Sequence, residues 1–234
     1  MWLHGFTQTK ESAHQFRSIL AGSYELLTLD LPGHGENASI SASLDETADL
    51  LAEVLPTAPF ILSGYSMGAR VALHFALRYR ERLTQLVVVS ATEGIRNEIE
   101  RTRRRDQDDQ LADRIELIGA EAFLDEWLAQ PMFASLPHDP LERAARSRDA
   151  KGLSDSLRHA GTGTQAFLGD ALASLDVPTL VVAGANDAKF VSEARLLRET
   201  LPHAVEALVA NAGHAAHLEE PRAVAQLVLD AQPQ

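Results

Sequence analysis

Apolar residues along this chain follow two alternating rhythms. Short runs rich in Val and Leu have the length and composition of buried strands: Glu25 to Leu29, Phe60-Ile61-Leu62, Leu86 to Val89, Thr179 to Ala183 and about Ala204 to Val209. Between them lie segments with apolar positions at helical spacing. Leu44 to Leu55 ends at Pro56, about Ala69 to Arg78 follows the second strand, and Glu219 to Leu229 closes the chain with Pro221 in its first turn. Strands that are apolar throughout, rather than at alternate positions, are covered on both faces. Their alternation with helices predicts an α/β fold, a mostly parallel sheet flanked by helices.

That rhythm breaks between about Ala91 and Gln165. The stretch is polar, helix-patterned and strand-free, and it includes the run Arg101-Thr102-Arg103-Arg104-Arg105. Strands stop before it and resume after it. The expected organisation is a core formed by residues 1–90 and 166–234, with a helical lid inserted at 91–165. Only Met1 to Leu3 precede the first turn, His4-Gly5-Phe6, so the expectation is either a sheet with trimmed N-terminal strands or an incomplete start.

Composition narrows the possibilities. A length of 234 residues suits one catalytic domain with a real core, and 45% hydrophobic with 23% charged residues is ordinary for a globular protein. No apolar run reaches the roughly 18 residues that cross a bilayer, and Met1 to Gly5 resembles no secretory signal. The absence of cysteine excludes disulfides, thiolate nucleophiles and Cys-ligated zinc, and fits a cytoplasmic protein. A net charge of −12 argues against nucleic acid as a partner but leaves room for a small anionic substrate in a locally basic pocket. A monomer and a small homo-oligomer are both compatible with these features.

Candidate chemistry sits at the strand ends. Gly64-Tyr65-Ser66-Met67-Gly68 has the G-x-S-x-G form of a nucleophile elbow, in which a strand turns sharply into a helix and flanking side chains would collide. It places the Ser66 hydroxyl at a helix N-terminus, where backbone N–H groups and the dipole favour developing negative charge. Asp187 follows one late strand and His214 follows the last, giving the order Ser, Asp, His of the α/β-hydrolase fold. Catalytic Ser66, Asp187 and His214 are therefore expected. The amides of Phe6, in the His-Gly turn, and Met67, after the serine, are the expected oxyanion-hole donors.

Other patterns are weaker. His214 and His217 form an H-x-x-H without further ligands, so no metal is expected, and His34 and His217 read as structural or pocket-lining. Gly161-Thr162-Gly163 follows no strand and is not a dinucleotide loop, so no cofactor is expected either. Arg70 lies one helical turn beyond Ser66 on a helix that packs against the sheet. A buried guanidinium needs a carboxylate partner, from the protein or from a substrate.

Taken together, Leu3-His4-Gly5-Phe6, Asp30-Leu31-Pro32-Gly33-His34-Gly35, the elbow through Arg70, Trp127-Leu128-Ala129-Gln130-Pro131-Met132-Phe133, Leu157-Arg158-His159-Ala160-Gly161-Thr162-Gly163 and Asn211-Ala212-Gly213-His214 resemble the 2-succinyl-6-hydroxy-2,4-cyclohexadiene-1-carboxylate (SHCHC) synthase family of menaquinone biosynthesis, within the α/β-hydrolase superfamily. The resemblance runs from about residue 3 to residue 230. It implies a lyase that eliminates pyruvate from a tricarboxylate, 2-succinyl-5-enolpyruvyl-6-hydroxy-3-cyclohexene-1-carboxylate, with the serine acting as a base. It also implies substrate-binding roles for Tyr65, Arg70, Trp127, a lid arginine best matched by Arg104, and another near Arg146 or Arg148, here taken as Arg146. Counting residues 91–165 gives 15 acidic and 11 basic side chains, so any positive field in the lid must be local. Arg103 and Arg105 read as a solvated helix face. The competing expectation is a carboxylic-ester hydrolase using the same triad in a mainly apolar pocket.

Overall fold

The computed structural model describes residues 1–231. Five parallel strands form one sheet in sequential order: β1 (Trp2–Leu3), β2 (Phe60–Tyr65), β3 (Leu83–Val89), β4 (Thr179–Gly184) and β5 (Ala204–Val209). Before β2 come helices α1 (His14–Leu20) and α2 (Leu44–Val54), and α3 (Met67–Tyr79) joins β2 to β3. Between β3 and β4 lie α4 (Glu98–Leu128), α5 (Pro140–Ala144), α6 (Ala150–Ala160) and α7 (Gly169–Leu172). The chain then runs through α8 (Ala188–Thr200), between β4 and β5, to α9 (Ala216–Glu219) and α10 (Pro221–Asp230). Among the described residues, no helix is long and apolar enough to cross a membrane.

The unbroken apolar strands have a direct structural cause. Leu86 and Val88 of β3 enter a core with α2, α3 and α8, through Leu51, Leu73, Phe75 and Leu197. Their neighbours Val87 and Val89 enter a second core with α1 and α10, through Phe16, Leu20, Val224 and Val228. Successive side chains point to opposite faces and both faces are covered, so each position must be apolar.

Two expected elements differ. The run Glu25 to Leu29 is not a strand of the sheet. It touches the outer side of β1 through a single bridge, Trp2 to Thr28, and one hydrogen bond from the Trp2 N–H to the Leu27 carbonyl. With only two residues in β1 to pair with, its ladder cannot extend. The closing helix is in fact two, because Pro221 has no N–H to continue a ladder and Glu220 adopts non-helical angles (φ −131°, ψ 62°).

The region from α4 to α6 is helical and has its own small core, Ala112, Ile115, Phe123, Leu153 and Leu157, held between α4 and α6. The long helix α4 breaks at Gly119, whose φ of 78° lies outside the helical range. Phe6 and Trp127 pack against this cluster and join it to the C-terminal ends of the strands.

Candidate active site

β2 delivers Ser66 to the end of the sheet and α3 starts at the next residue. Ser66 has φ 51° and ψ −106°, a strained conformation for a residue with a side chain, costing on the order of 1–3 kcal/mol. Packing enforces it. A Cβ at Gly64 would lie 2.4 Å from the Gly68 carbonyl oxygen, and one at Gly68 would lie 2.4 Å from the Leu3 carbonyl oxygen. No real Cβ tolerates such contacts with backbone, so the elbow can form only with glycine at both places.

The loops after β4 and β5 bring the other two expected residues to this serine. The Ser66 Oγ lies 3.2 Å from His214 Nε2, and His214 Nδ1 lies 3.0 Å from Asp187 Oδ2. An ionised carboxylate only accepts hydrogen bonds, so Nδ1 carries the proton and Nε2 is left to accept from the hydroxyl. Asp187 also caps α8 by accepting from the Phe190 N–H. Partial burial opposes its ionisation, but the hydrogen bond and charge of His214, with the Phe190 N–H, hold its carboxyl below the ordinary carboxylate range. The site is thereby poised as base and orienter toward one hydroxyl.

Among the described residues, neither the Phe6 nor the Met67 N–H has a hydrogen-bond acceptor within the protein. The amides around Phe6 are all engaged. Gly5 N–H donates to Gln8 Oε1 at 2.8 Å and Thr7 N–H to His34 Nε2 at 3.2 Å. The turn is further fixed by Leu31 N–H donating to His4 Nε2 at 3.0 Å. Both histidines are buried and lie 5.0 Å apart. Burial, with smaller charge and hydrogen-bond effects, pushes His4 down to about 4 and His34 down to about 3. Kept neutral, each ring can accept an N–H.

A cavity of about 510 Å³ opens onto Ser66 and His214. Tyr65, Arg70, Arg104, Trp127, Phe6 and Met67, all expected at the site, line it. Arg70 is only 8% exposed and, among the described residues, makes one hydrogen bond, to the Ala160 carbonyl at 2.8 Å, with no carboxylate in ion-pair contact. Burial, and then the nearby charge of Arg104, outweigh the pull of Asp108 and push its pKa down to about 10. Arg104 is held by Asp108 at 2.8 Å, and buried Asp108 also accepts from the Gly163 N–H. The Trp127 indole stands edge-on to Phe6, with ring centres 5.2 Å apart, and its buried Nε1–H has no partner among the described residues. Arg101 pairs instead with Glu98, and Arg103 and Arg105 lie on the exposed side of α4.

Arg146 departs from expectation. It does not line the cavity but is buried behind the Phe6 turn, donating to Thr7 Oγ1 at 2.6 Å. The Ser147 N–H holds the Thr7 carbonyl at 2.8 Å, so this segment supports the turn from below. Arg148 is an exposed partner of Glu121. His34 and His217 lie outside the cavity wall; His217 is packed between Tyr65 and Trp2 at ring distances of 4.3 and 5.1 Å.

Three neighbours escaped the sequence reading. Lys189 lines the cavity beside Phe190. The Ser90 hydroxyl donates to the His214 carbonyl at 2.7 Å. Glu219 accepts from the amides flanking His214. Lys189, two residues past the strand-end Asp187, could have been noticed as a cation beside the site. Ser90 and Glu219 carry no sequence signal of their own.

Comparison with known proteins gives the chain's family. The family model described as "Alpha/beta hydrolase family" matches residues 1–227. The 2-succinyl-6-hydroxy-2,4-cyclohexadiene-1-carboxylate synthase of Enterobacter sp. (strain 638) is 34% identical over 96% of this chain and 88% of its own. The protein of the same name from Yersinia pestis (strain Nepal516) is 34% identical over 98% of this chain and 85% of its own. The solved structure of MenH from S. aureus superimposes with a TM-score of 0.92 at 30% identity, covering 98% of this chain and 91% of that one. A thermophilic esterase from Thermogutta terrifontis shares the fold at 23% identity, with a TM-score of 0.83 over 99% of this chain and 89% of that one.

Proposed function

The chain belongs to the alpha/beta hydrolase family and, within it, to the 2-succinyl-6-hydroxy-2,4-cyclohexadiene-1-carboxylate synthases, and from this premise we propose that Ser66, His214 and Asp187 drive its elimination of pyruvate. The substrate is 2-succinyl-5-enolpyruvyl-6-hydroxy-3-cyclohexene-1-carboxylate. Its ring C2–H is acidic because the bond is adjacent to the succinyl ketone. Ser66, its own proton drawn toward His214 Nε2, takes the C2 proton. The electron pair becomes an enolate on the ketone oxygen, which the Phe6 and Met67 amides stabilise. Each such donor is worth about 3–4 kcal/mol when its charge develops only in the transition state.

Collapse of the enolate forms the C2–C3 double bond, moves the ring alkene to C4–C5 and breaks the C5–O bond. The enolpyruvyl group leaves as the enolate of pyruvate, and a proton returned through His214 gives pyruvate. Atoms and charge balance without a cofactor. Residues 91–165 serve as a lid, whose Arg104 and Trp127 complete the chamber over Ser66. Excluding water there strengthens every charge interaction.

Arg70 carries this reading. A buried guanidinium with no ion-pair partner among the described residues, on the wall that also holds Ser66, is costly to the free protein and fits an anionic substrate. An ester hydrolase with an apolar acyl chamber has no use for it. The test is pyruvate release from freshly prepared substrate, with Ser66→Ala and enzyme-free controls. Release well above both controls supports the lyase. Release no faster than the controls, from a folded protein that cleaves aryl esters, would replace it with the hydrolase.

A further inference from the structure

Arg70 and Arg104 give two cations to a chamber whose proposed substrate carries three carboxylates. The sequence-expected third, Arg146, is committed to Thr7 beneath the Phe6 turn. The chamber wall holds another cation, Lys189, at the start of α8 and two residues after Asp187. We propose that the Lys189 ammonium binds a carboxylate of the substrate and is a specificity-determining residue of this enzyme; the inference rests on the lyase reading above.

The three lysines of the chain differ in a telling way. Lys10 is paired with Glu36 and Lys151 with Asp155. Among the described residues Lys189 has no carboxylate within ion-pair distance. Its Nζ instead lies 5.1 Å from the centre of the Phe190 ring, and that ring lies 4.4 Å from the ring of His214. The Phe190 ring thus touches both the ammonium and His214, and all three line the same chamber. Partial burial, and then the charges of Arg104 and Arg70, outweigh Glu193 and Asp187 and hold its pKa below the ordinary lysine range. Three cations therefore act on one another across the chamber. Among the described residues the only carboxylate on its wall is Asp108, already engaged by Arg104 and the Gly163 N–H. An excess of positive charge remains, and a polycarboxylate relieves it. Lysine suits this place as a point charge on a flexible stem, able to follow a carboxylate that leaves with the product.

The experiment compares Lys189→Met and Lys189→Arg with the wild type. Lys189 has no internal ion pair to lose, so both variants should fold, as thermal unfolding will confirm. For Lys189→Met, KM for the cyclohexene tricarboxylate should rise about tenfold to hundredfold with a smaller change in kcat, as expected for a lost charge-assisted hydrogen bond. Lys189→Arg should keep KM within a few-fold of wild type. A KM for Lys189→Met within twofold of wild type would overturn the inference. Calorimetric binding of propane-1,2,3-tricarboxylate separates it from the lyase reading. If the wild type releases no pyruvate, the lyase reading fails, and this second measurement still decides the role of Lys189. Weaker binding by Lys189→Met supports an anion-binding lysine; equal binding, or none to either protein, overturns it.

Discussion

The Glu219 carboxylate grips the backbone on both sides of His214, accepting from the Gly213 N–H at 2.7 Å and from the Ala215 N–H at 3.0 Å. Ser135, in the segment between α4 and α5, donates to the same carboxylate at 2.5 Å. The loop that carries His214 is therefore fixed by one side chain and tied to the helical region above the chamber. A glutamine cannot reproduce this, because its NH2 group would face an N–H. Glu219→Gln is expected to lower kcat about tenfold to hundredfold with little change in KM, the scale of a small misplacement of a reacting group. Steady-state kinetics alongside thermal unfolding will check it; wild-type kcat would show that the grip is dispensable.

Asp187→Asn should keep the fold and lose the chemistry. Asparagine still caps α8 through the Phe190 N–H, so stability should change by less than about 1 kcal/mol. Its amide can, however, donate to His214 Nδ1 and favour the tautomer with Nε2 protonated, which cannot take the Ser66 proton. A fall in kcat of about 10³–10⁴ is expected, as for other triads whose orienting acid is made neutral. A loss of only a few-fold would mean that His214 does not act through that nitrogen.

Arg70→Met sets function against stability. Burial of Arg70 and the neighbouring charge of Arg104 already show as a depressed pKa, despite Asp108, so the free protein gains from an apolar side chain of similar length. The unfolding midpoint should stay level or rise, while kcat/KM for the tricarboxylate falls about hundredfold or more. A large drop in unfolding temperature would instead make Arg70 a structural residue held by Ala160.

Stability should depend on pH through the neutral histidines behind the Phe6 turn. In the unfolded chain each titrates near 6.5, whereas in the fold His4 is held at about 4 and His34 at about 3. The unfolded state therefore binds protons first as pH falls, and stability is full above about 6.5 and declines toward pH 4. Each histidine should cost about 2 kcal/mol at pH 5. Urea unfolding at pH 7 and pH 5 measures the difference. His34→Gln can still accept the Thr7 N–H and should shrink that difference by about 2 kcal/mol. An unchanged difference would place the pH sensitivity elsewhere.

The sequence by itself determined the strand-and-helix alternation, the elbow at Ser66 and the residues that follow the late strands. These are local or periodic facts. A strand covered on both faces must be apolar throughout, and a turn with no room for Cβ must be glycine, so Leu86 to Val89 and Gly64 and Gly68 are readable in one dimension. The boundary at Pro221 was half readable: proline marked a helix start but not the separate turn before it.

Only the tertiary structure decided which cations face the chamber. Arg104, Arg146 and Lys189 come from α4, the segment before α6, and α8, and their directions depend on how those elements pack rather than on any spacing along the chain. Packing turned Arg146 toward Thr7, left Arg70 without an ion-pair partner among the described residues and brought Lys189 to the chamber wall. It likewise reduced Glu25 to Leu29 to a single bridge, since a strand needs a partner long enough to pair with and β1 has only two residues. Charge placement is a long-range property, set by desolvation and by neighbours distant in sequence, which is why the elbow at Ser66 was legible and the places of Arg146 and Lys189 were not.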